Sequence, residues 1–204
     1  MQTENKVLME QAREALKGKW KLAVGTYFLY MLMLGVMQAV PAVGPLVSLV
    51  VSGPLMLGMT LFSISISRNK EAKLEQLFEG FKRFSKALAA YLLMVIFTLL
   101  WMLLLVVPGI IAAISYSQLF FILAEDESIS AGDALKKSKK MMYGYKWKFF
   151  CLVWRFFGWG LLSALTLGIG LFWLIPYIQV SMAKFYDDIL NKPITPTPAQ
   201  QGAV

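Results

Sequence analysis

Residues 87–124 read ALAAYLLMVIFTLLWMLLLVVPGIIAAISYSQLFFILA, 38 residues without one Asp, Glu, Lys or Arg. A helix that crosses a bilayer needs about 20 apolar residues. The stretch is too long for one crossing and about right for two. Pro108-Gly109 lies near its middle, where proline removes a backbone donor and glycine favours a helix stop. Two further stretches have the same form. Leu22 to Ser67 is 46 residues with no charge, interrupted by Pro41-Ala42-Val43-Gly44-Pro45. Phe149 to Ala183 is 35 residues with Arg155 as its one charge, interrupted by Leu167-Gly168-Ile169-Gly170. The pattern predicts an all-α membrane protein with six transmembrane helices paired as three hairpins. They are placed near 22–40, 45–66, 87–107, 110–124, 149–166 and 170–184. The short fourth span leaves a re-entrant second hairpin as an alternative. A soluble bundle would show a polar face on most helices, and these segments show almost none.

Composition agrees. Of 204 residues, 58% are hydrophobic and 16% are charged, against roughly 45–50% and 25% in soluble domains. Cys151 is the single cysteine, so no intramolecular disulfide forms, and histidine is absent. The commonest metal ligand and the commonest general base are therefore missing. Hydrolases that need a histidine are excluded, and no metal or cofactor is expected.

The 20 Lys and Arg residues fall in alternate connections. Five lie in 1–21, six in 68–86 and six in 125–148, while the three hairpin turns have none. Positive-inside bias then places both termini and both long loops in the cytoplasm. The net charge of +8 is read as this topology signal. No nucleic-acid motif accompanies it, and no nucleic-acid partner is expected. The first apolar run lacks a small-residue cleavage site, so a cleaved signal peptide is not expected. The tail 193–204 alternates proline through Pro193, Pro196 and Pro198 and predicts a disordered or extended end.

Each hairpin follows a charged segment with apolar residues at helical spacing. The first carries Val7, Leu8, Ala12, Ala15, Leu16 and Trp20, the second Leu74, Leu77, Phe78, Phe81 and Phe84, and the third Ala134, Leu135, Met141, Met142 and Tyr145. All three are expected to be cytoplasmic interfacial amphipathic helices. Ser130-Ala131-Gly132-Asp133 has the form of a capping box. Gly18, Gly80 and Gly144 each sit inside a cluster of basic and aromatic residues, 62 and 64 residues apart. One domain over 1–192 is predicted, with units at about 1–67, 68–124 and 125–190. Lys and Arg snorkel to headgroups and Trp and Tyr sit at the interface, so the clusters mark where the chain enters the membrane.

Lys136, Lys137, Lys139, Lys140, Lys146 and Lys148, with Arg155, are the candidate residues for anionic lipid headgroups. Arg155 lies seven residues past Lys148, about 10 Å deep, within snorkelling reach of the surface. Gln38, Gln118 and Gln179 are the candidates for a polar cavity. Glu125, Asp126, Glu127 and the pair Asp187-Asp188 are the carboxylates that an enzyme would use.

Several strings together carry a family resemblance. They are Leu16-Lys17-Gly18-Lys19-Trp20, Leu77-Phe78 with Gly80-Phe81, and Leu103 through Pro108-Gly109-Ile110-Ile111. Ser115-Tyr116-Ser117, Phe121 through Glu125-Asp126, Ser138 with Met141-Met142 and Gly144, Gly168-Ile169-Gly170, Pro176-Tyr177 and Phe185-Tyr186 complete the set. The chain resembles the bacterial integral membrane proteins known as DUF975, over nearly its whole length except the tail. In layout it is also similar to the membrane domain attached to some glycerophosphodiester phosphodiesterases. The resemblance implies a multi-pass protein of the bacterial inner membrane and supplies no catalytic residues. Arg155 stands where it leads one to expect a small or apolar residue. The expected function is a non-enzymatic membrane module that binds lipid or a partner membrane protein, or a second copy of itself. A small transporter or channel is the alternative, and a lipid-headgroup enzyme working through Glu125, Asp126 or Asp187 is the third reading.

Overall fold

A computed structural model describes residues 3–38, 44–165 and 168–191. The expected turn residues 41–43 and Leu167, and the Pro-rich tail, lie outside the described residues. Among those described the chain is helical, with no strand. The helices are α1 (Asn5–Leu16), α2 (Trp20–Gln38), α3 (Gly44–Ser67) and α4 (Gln76–Glu79), then a 3-10 turn at Gly80–Arg83. They continue as α5 (Phe84–Leu104), α6 (Val106–Tyr116), α7 (Leu119–Glu125), α8 (Ala131–Met141), α9 (Lys146–Leu165) and α10 (Leu171–Asn191). Five segments are long and apolar enough to cross a membrane: Trp20–Gln38, Gly44–Ser67, Gln76–Leu104, Val106–Glu125 and Lys146–Leu165. The last apolar stretch is helical too, as α10, but Lys184, Asp187 and Asp188 occupy its end. Its charge-free part, Leu171–Ala183, is 13 residues, about 20 Å of helix against a hydrocarbon core of about 30 Å.

α3 is the central helix, packing on α2, α5, α7 and α10. Two thirds of its apolar window is buried, against 17% for α2 and for α9. Small residues make that burial possible, because membrane helices gain from close backbone approach rather than from hydrophobic exclusion. A Cβ on Gly53 would lie 2.6 Å from the Ala87 carbonyl oxygen, and one on Gly58 would collide with that of Leu77. The hydroxyls of α3 donate within their own helix: Thr60 to Met56 O at 2.8 Å, Ser63 to Met59 O at 2.7 Å and Ser65 to Leu61 O at 3.0 Å. No polar group of these three therefore needs water. The outer helices show the reverse pattern. Leu32 and Val36 of α2, Leu99 and Leu103 of α5, and Trp154, Phe157 and Leu161 of α9 are all exposed. Lipid tails solvate such side chains as well as a protein interior does.

The hairpin turn of the second unit falls earlier than the Pro108-Gly109 spacing predicts. Leu105 alone is extended, at φ −162° and ψ 144°, and α6 begins at Val106. Pro108 then sits in the first turn of α6, where a helical N–H has no partner to lose. Gly109 lets α6 close against α5, since a Cβ there would lie 2.8 Å from Met102 Cα.

The three charged segments do not fold alike. Gly18 joins α1 to α2 at φ +76°, and Gly144 joins α8 to α9 at φ +80°. The hydrogen bonds around them coincide at an offset of 126 residues. Lys17 N to Glu14 O, Lys19 N to Leu16 O and Ala23 N to Lys19 O match Tyr143 N to Lys140 O, Tyr145 N to Met142 O and Phe149 N to Tyr145 O. The buried faces match as well: Leu8, Ala12 and Leu16 correspond to Ala134, Ser138 and Met142. The second unit departs from this pattern. Its expected amphipathic helix over 74–84 is reduced to α4 and the 3-10 turn, and Gly80 has φ −60°. Its role is close approach, because a Cβ on Gly80 would collide with the Pro54 carbonyl oxygen of α3.

Candidate functional site

A cavity of about 760 Å³ runs into the bundle and opens at a rim where Met31, Leu99 and Met102 are exposed. α2 contributes Tyr27, Tyr30 and Met31, α3 contributes Met56, Met59 and Thr60, and α5 contributes Met94, Thr98 and Met102. α10 contributes Ile175, Ile178, Gln179 and Met182. The fourth apolar segment reaches it through Ser117, Gln118, Phe120 and Phe121. Six of the twelve methionines of the chain are in this lining. Unbranched thioether side chains re-pack easily and suit surfaces that accept varied apolar shapes. None of the lining residues carries a charge. A volume of this size falls in the range of small-molecule sites, about 300–1,000 Å³.

The fourth segment is broken where it meets the cavity. α6 ends at Tyr116, Gln118 has φ −91° and ψ 0°, and α7 starts at Leu119. Irregular backbone at membrane depth is tolerated where protein buries it or where it lines a cavity. The break turns the Gln118 side chain inward. Gln118 is fully buried, its Nε2 donates to Ser117 Oγ at 3.0 Å, and its Oε1 has no hydrogen-bond partner. Gln179 lines the same cavity and is half-buried. The sequence thus named two of the cavity's polar residues. Gln38 is exposed at the end of α2 and is outside this lining. The methionine lining was unread, because methionine is scattered along the chain at no single spacing.

One end of the bundle is closed by ion pairs. The Arg68 guanidinium, just past α3, donates Nε to Asp187 Oδ1 at 3.1 Å and Nη2 to the same oxygen at 2.6 Å, and also reaches Glu125 Oε1. Ser67 Oγ donates to Asp187 Oδ2 at 3.2 Å, and Tyr186 OH donates to Glu125 Oε2 at 2.7 Å. The bond to Asp187, with that to Glu125, raises the Arg68 pKa further above its ordinary value and keeps the group charged. Tyr186 stacks on Phe121, with centroids 5.3 Å apart, so one ring pair separates this cluster from the cavity. Beside it lies a polar pocket of about 650 Å³ that includes Glu125, Lys184, Asp187 and Asp188. The two acidic runs do meet, as the sequence allows, but around Arg68, which nothing in its own stretch of sequence marks out. Asp126 turns the other way: its Oδ1 accepts from Ser128 N at 2.9 Å and Ile129 N at 3.1 Å, closing the turn before α8. Glu127 pairs with Arg83. No cluster of three potential metal ligands occurs among the described residues.

The six candidate lysines separate into two groups. Lys136, Lys137, Lys139 and Lys140 are exposed on α8, opposite buried Ala134, Leu135 and Ser138. Lys146 is half-buried. Lys148 is turned inward. It meets Asp188 Oδ2 at 2.6 Å, its side chain is 10% exposed, and its Nζ lies 5.4 Å from the Phe185 ring centroid. Arg155 is exposed on α9 beside a ladder of stacked rings, Trp147, Phe150, Trp154 and Phe157. It faces outward with these rings and is outside the cavity lining.

A family model described as a protein of unknown function, DUF975, matches residues 1–115 and 100–193. The chain belongs to the DUF975 family. Comparison with curated proteins gave no match, and neither did comparison with solved structures. In this DUF975 protein the matched residues include the cavity lining, the Arg68 cluster and the basic face of α8.

Proposed function

We propose that this protein is a non-enzymatic, lipid-binding module of the bacterial inner membrane that takes an apolar ligand from the bilayer into its methionine-lined cavity. The observation that carries the reading is the cavity: about 760 Å³, uncharged, and set among helices whose outer faces are apolar. α10 completes the bundle as a sixth, short span, and Lys184 snorkels to the cytoplasmic surface. Both termini and the basic segments lie on that side. The exposed lysines of α8 hold anionic headgroups, at about 1 kcal/mol per cation, while Lys148 serves the fold through Asp188. Binding without turnover is favoured because Glu125 and Asp187 are both engaged by Arg68.

Native mass spectrometry of the protein extracted in mild detergent tests this. A retained lipid is expected, and Met94→Trp, which fills the cavity, should abolish it. Protein that flies bare, or a lipid retained equally by Met94→Trp, contradicts the reading. The same spectra report a partner or a second copy. A small transporter is the second reading, favoured by the break at Ser117-Gln118, since broken helices line the central sites of many transporters. Solute flux into proteoliposomes, lost in Gln118→Leu, would support it over simple binding.

A further inference from the structure

We infer that the cavity selects an uncharged amphiphile whose polar end donates a hydrogen bond to Gln118 Oε1, a lipid alcohol being the simplest member of that class. The inference rests on the lipid-binding reading above and names the ligand's chemistry.

The orientation of the Gln118 amide follows from its neighbour. The Ser117 hydroxyl proton is committed to Ile114 O at 2.8 Å. Ser117 Oγ therefore has only lone pairs to offer Gln118, and the group 3.0 Å away must be the N–H bearing one. That fixes Oε1 as the atom left over, and Oε1 is buried with no partner. A buried carbonyl oxygen without a donor is costly. The adjacent Ser117 hydroxyl cannot serve it, and the Thr60 hydroxyl at the cavity wall already donates to Met56 O at 2.8 Å. Gln118 is packed into the cavity wall with Oε1 closed off, and a turn of its amide toward the cavity would present that oxygen to a ligand that supplies what the protein does not, a proton on oxygen or nitrogen.

Charge sets the other half of the selection. The lining holds no Lys, Arg, Asp or Glu. An ionised phosphate or carboxylate would enter with no counter-charge, and burying an unpaired ion is far more costly than burying a hydroxyl. An acceptor-only head, such as an ester or ether, would face Oε1 with lone pairs on both sides. The remaining class has an apolar body for the methionines and a neutral donor at one end. Its source, a membrane-resident alcohol or a diffusible amphiphile, does not alter the contact.

Photo-crosslinking in phosphatidylcholine nanodiscs tests this, since that lipid brings no hydroxyl donor. The full chain is reconstituted and exposed to three diazirine-bearing C18 probes: the alcohol, its methyl ether and the carboxylate. Adducts are mapped by peptide mass spectrometry. The alcohol should label the cavity peptides around Met94 and Phe120 at least about tenfold more efficiently than the ether or the carboxylate, the discrimination expected from one unmet buried acceptor. Gln118→Leu should bring alcohol and ether to parity, and Gln118→Met is the alternative where Leu disturbs packing. Equal labelling by alcohol and ether in the unaltered protein overturns the inference while leaving lipid binding in place, as does preference for the carboxylate. Labelling of the cavity by none of the probes overturns lipid binding itself. An aqueous short-chain diol that competes as well as the C18 alcohol assigns the site to a diffusible ligand; competition by the C18 alcohol alone assigns it to a membrane-resident one.

Discussion

At the scale of single residues, Arg68 ties α3 to two other helices through one planar group. Its two carboxylate partners come from α7 and α10, and its fork reaches both in a way a point charge would not. Arg68→Leu leaves Glu125 and Asp187 facing each other without the cation. We expect a loss of about 2 kcal/mol, partly screened because the side chain is about a quarter exposed. Arg68→Lys should recover less than half. Thermal melting in detergent reads both. The pair Lys148–Asp188 is more deeply buried. Removing either partner strands a charge and should cost about 3 kcal/mol, while the double change Lys148→Met with Asp188→Leu should restore most of it. An additive double mutant would deny the pairing. Lys148 also shows where sequence reading stops. It stands two residues from Lys146 in one basic cluster, and only the packing of α9 against α10 separates a buried partner from a headgroup contact.

At the scale of elements, two kinds of glycine are distinguishable by substitution. Gly18 has open space around a Cβ, so its positive φ is the constraint, and Gly144 shares that positive φ. Gly18→Ala should cost about 1 kcal/mol. Gly80 and Gly58 have ordinary φ and a carbonyl in the way, so Gly80→Ala must push α3 off the 3-10 turn, at a cost on the order of 3 kcal/mol. Comparable losses at Gly18 and Gly80 would contradict this division. The sequence aligned all three glycines by spacing. Spacing recorded a shared position but not which constraint each glycine meets.

The turn before α8 carries a pH dependence. Ser130 Oγ accepts from Asp133 N at 3.1 Å, as the capping-box pattern predicts, and the Ser130 hydroxyl, in place of the backbone N–H of that pattern, donates to the Asp133 carboxylate. That bond, and then Lys136, lower the Asp133 pKa below 3.8, and the Ser128 hydroxyl and N–H do the same for Asp126. Both carboxylates are depressed in the fold, so their stabilisation is full above 3.8 and is lost as pH falls below it. Amide-exchange protection across 128–134 should decline in acid, over that window. Ser130→Ala should cost about 1 kcal/mol of helix stability at neutral pH. Unchanged protection in acid would remove both caps from the account.

At the scale of the whole molecule, the helical class and its apolar segments were legible because charge is absent from long runs and dense between them. Segment ends were less legible. Pro108 marked a turn in the sequence, yet proline is equally at home in the first turn of α6. The cavity was half legible: Gln118 and Gln179 stood out as polar residues in apolar helices, but the methionine lining is assembled from several helices by tertiary packing. The Arg68 cluster was illegible for the same reason, since residues 68, 125 and 187 meet only when α3, α7 and α10 are bundled. The central claim is that these helices form one membrane module whose basic segments share a side. It is tested most directly by labelling single cysteines in intact cells, in a Cys151→Ser background, with a membrane-impermeant maleimide. Val43→Cys and Ile169→Cys should label from outside, and Lys70→Cys, Lys137→Cys and Lys192→Cys only after permeabilisation. Labelling of Ile169→Cys and Lys137→Cys from the same side would contradict the account.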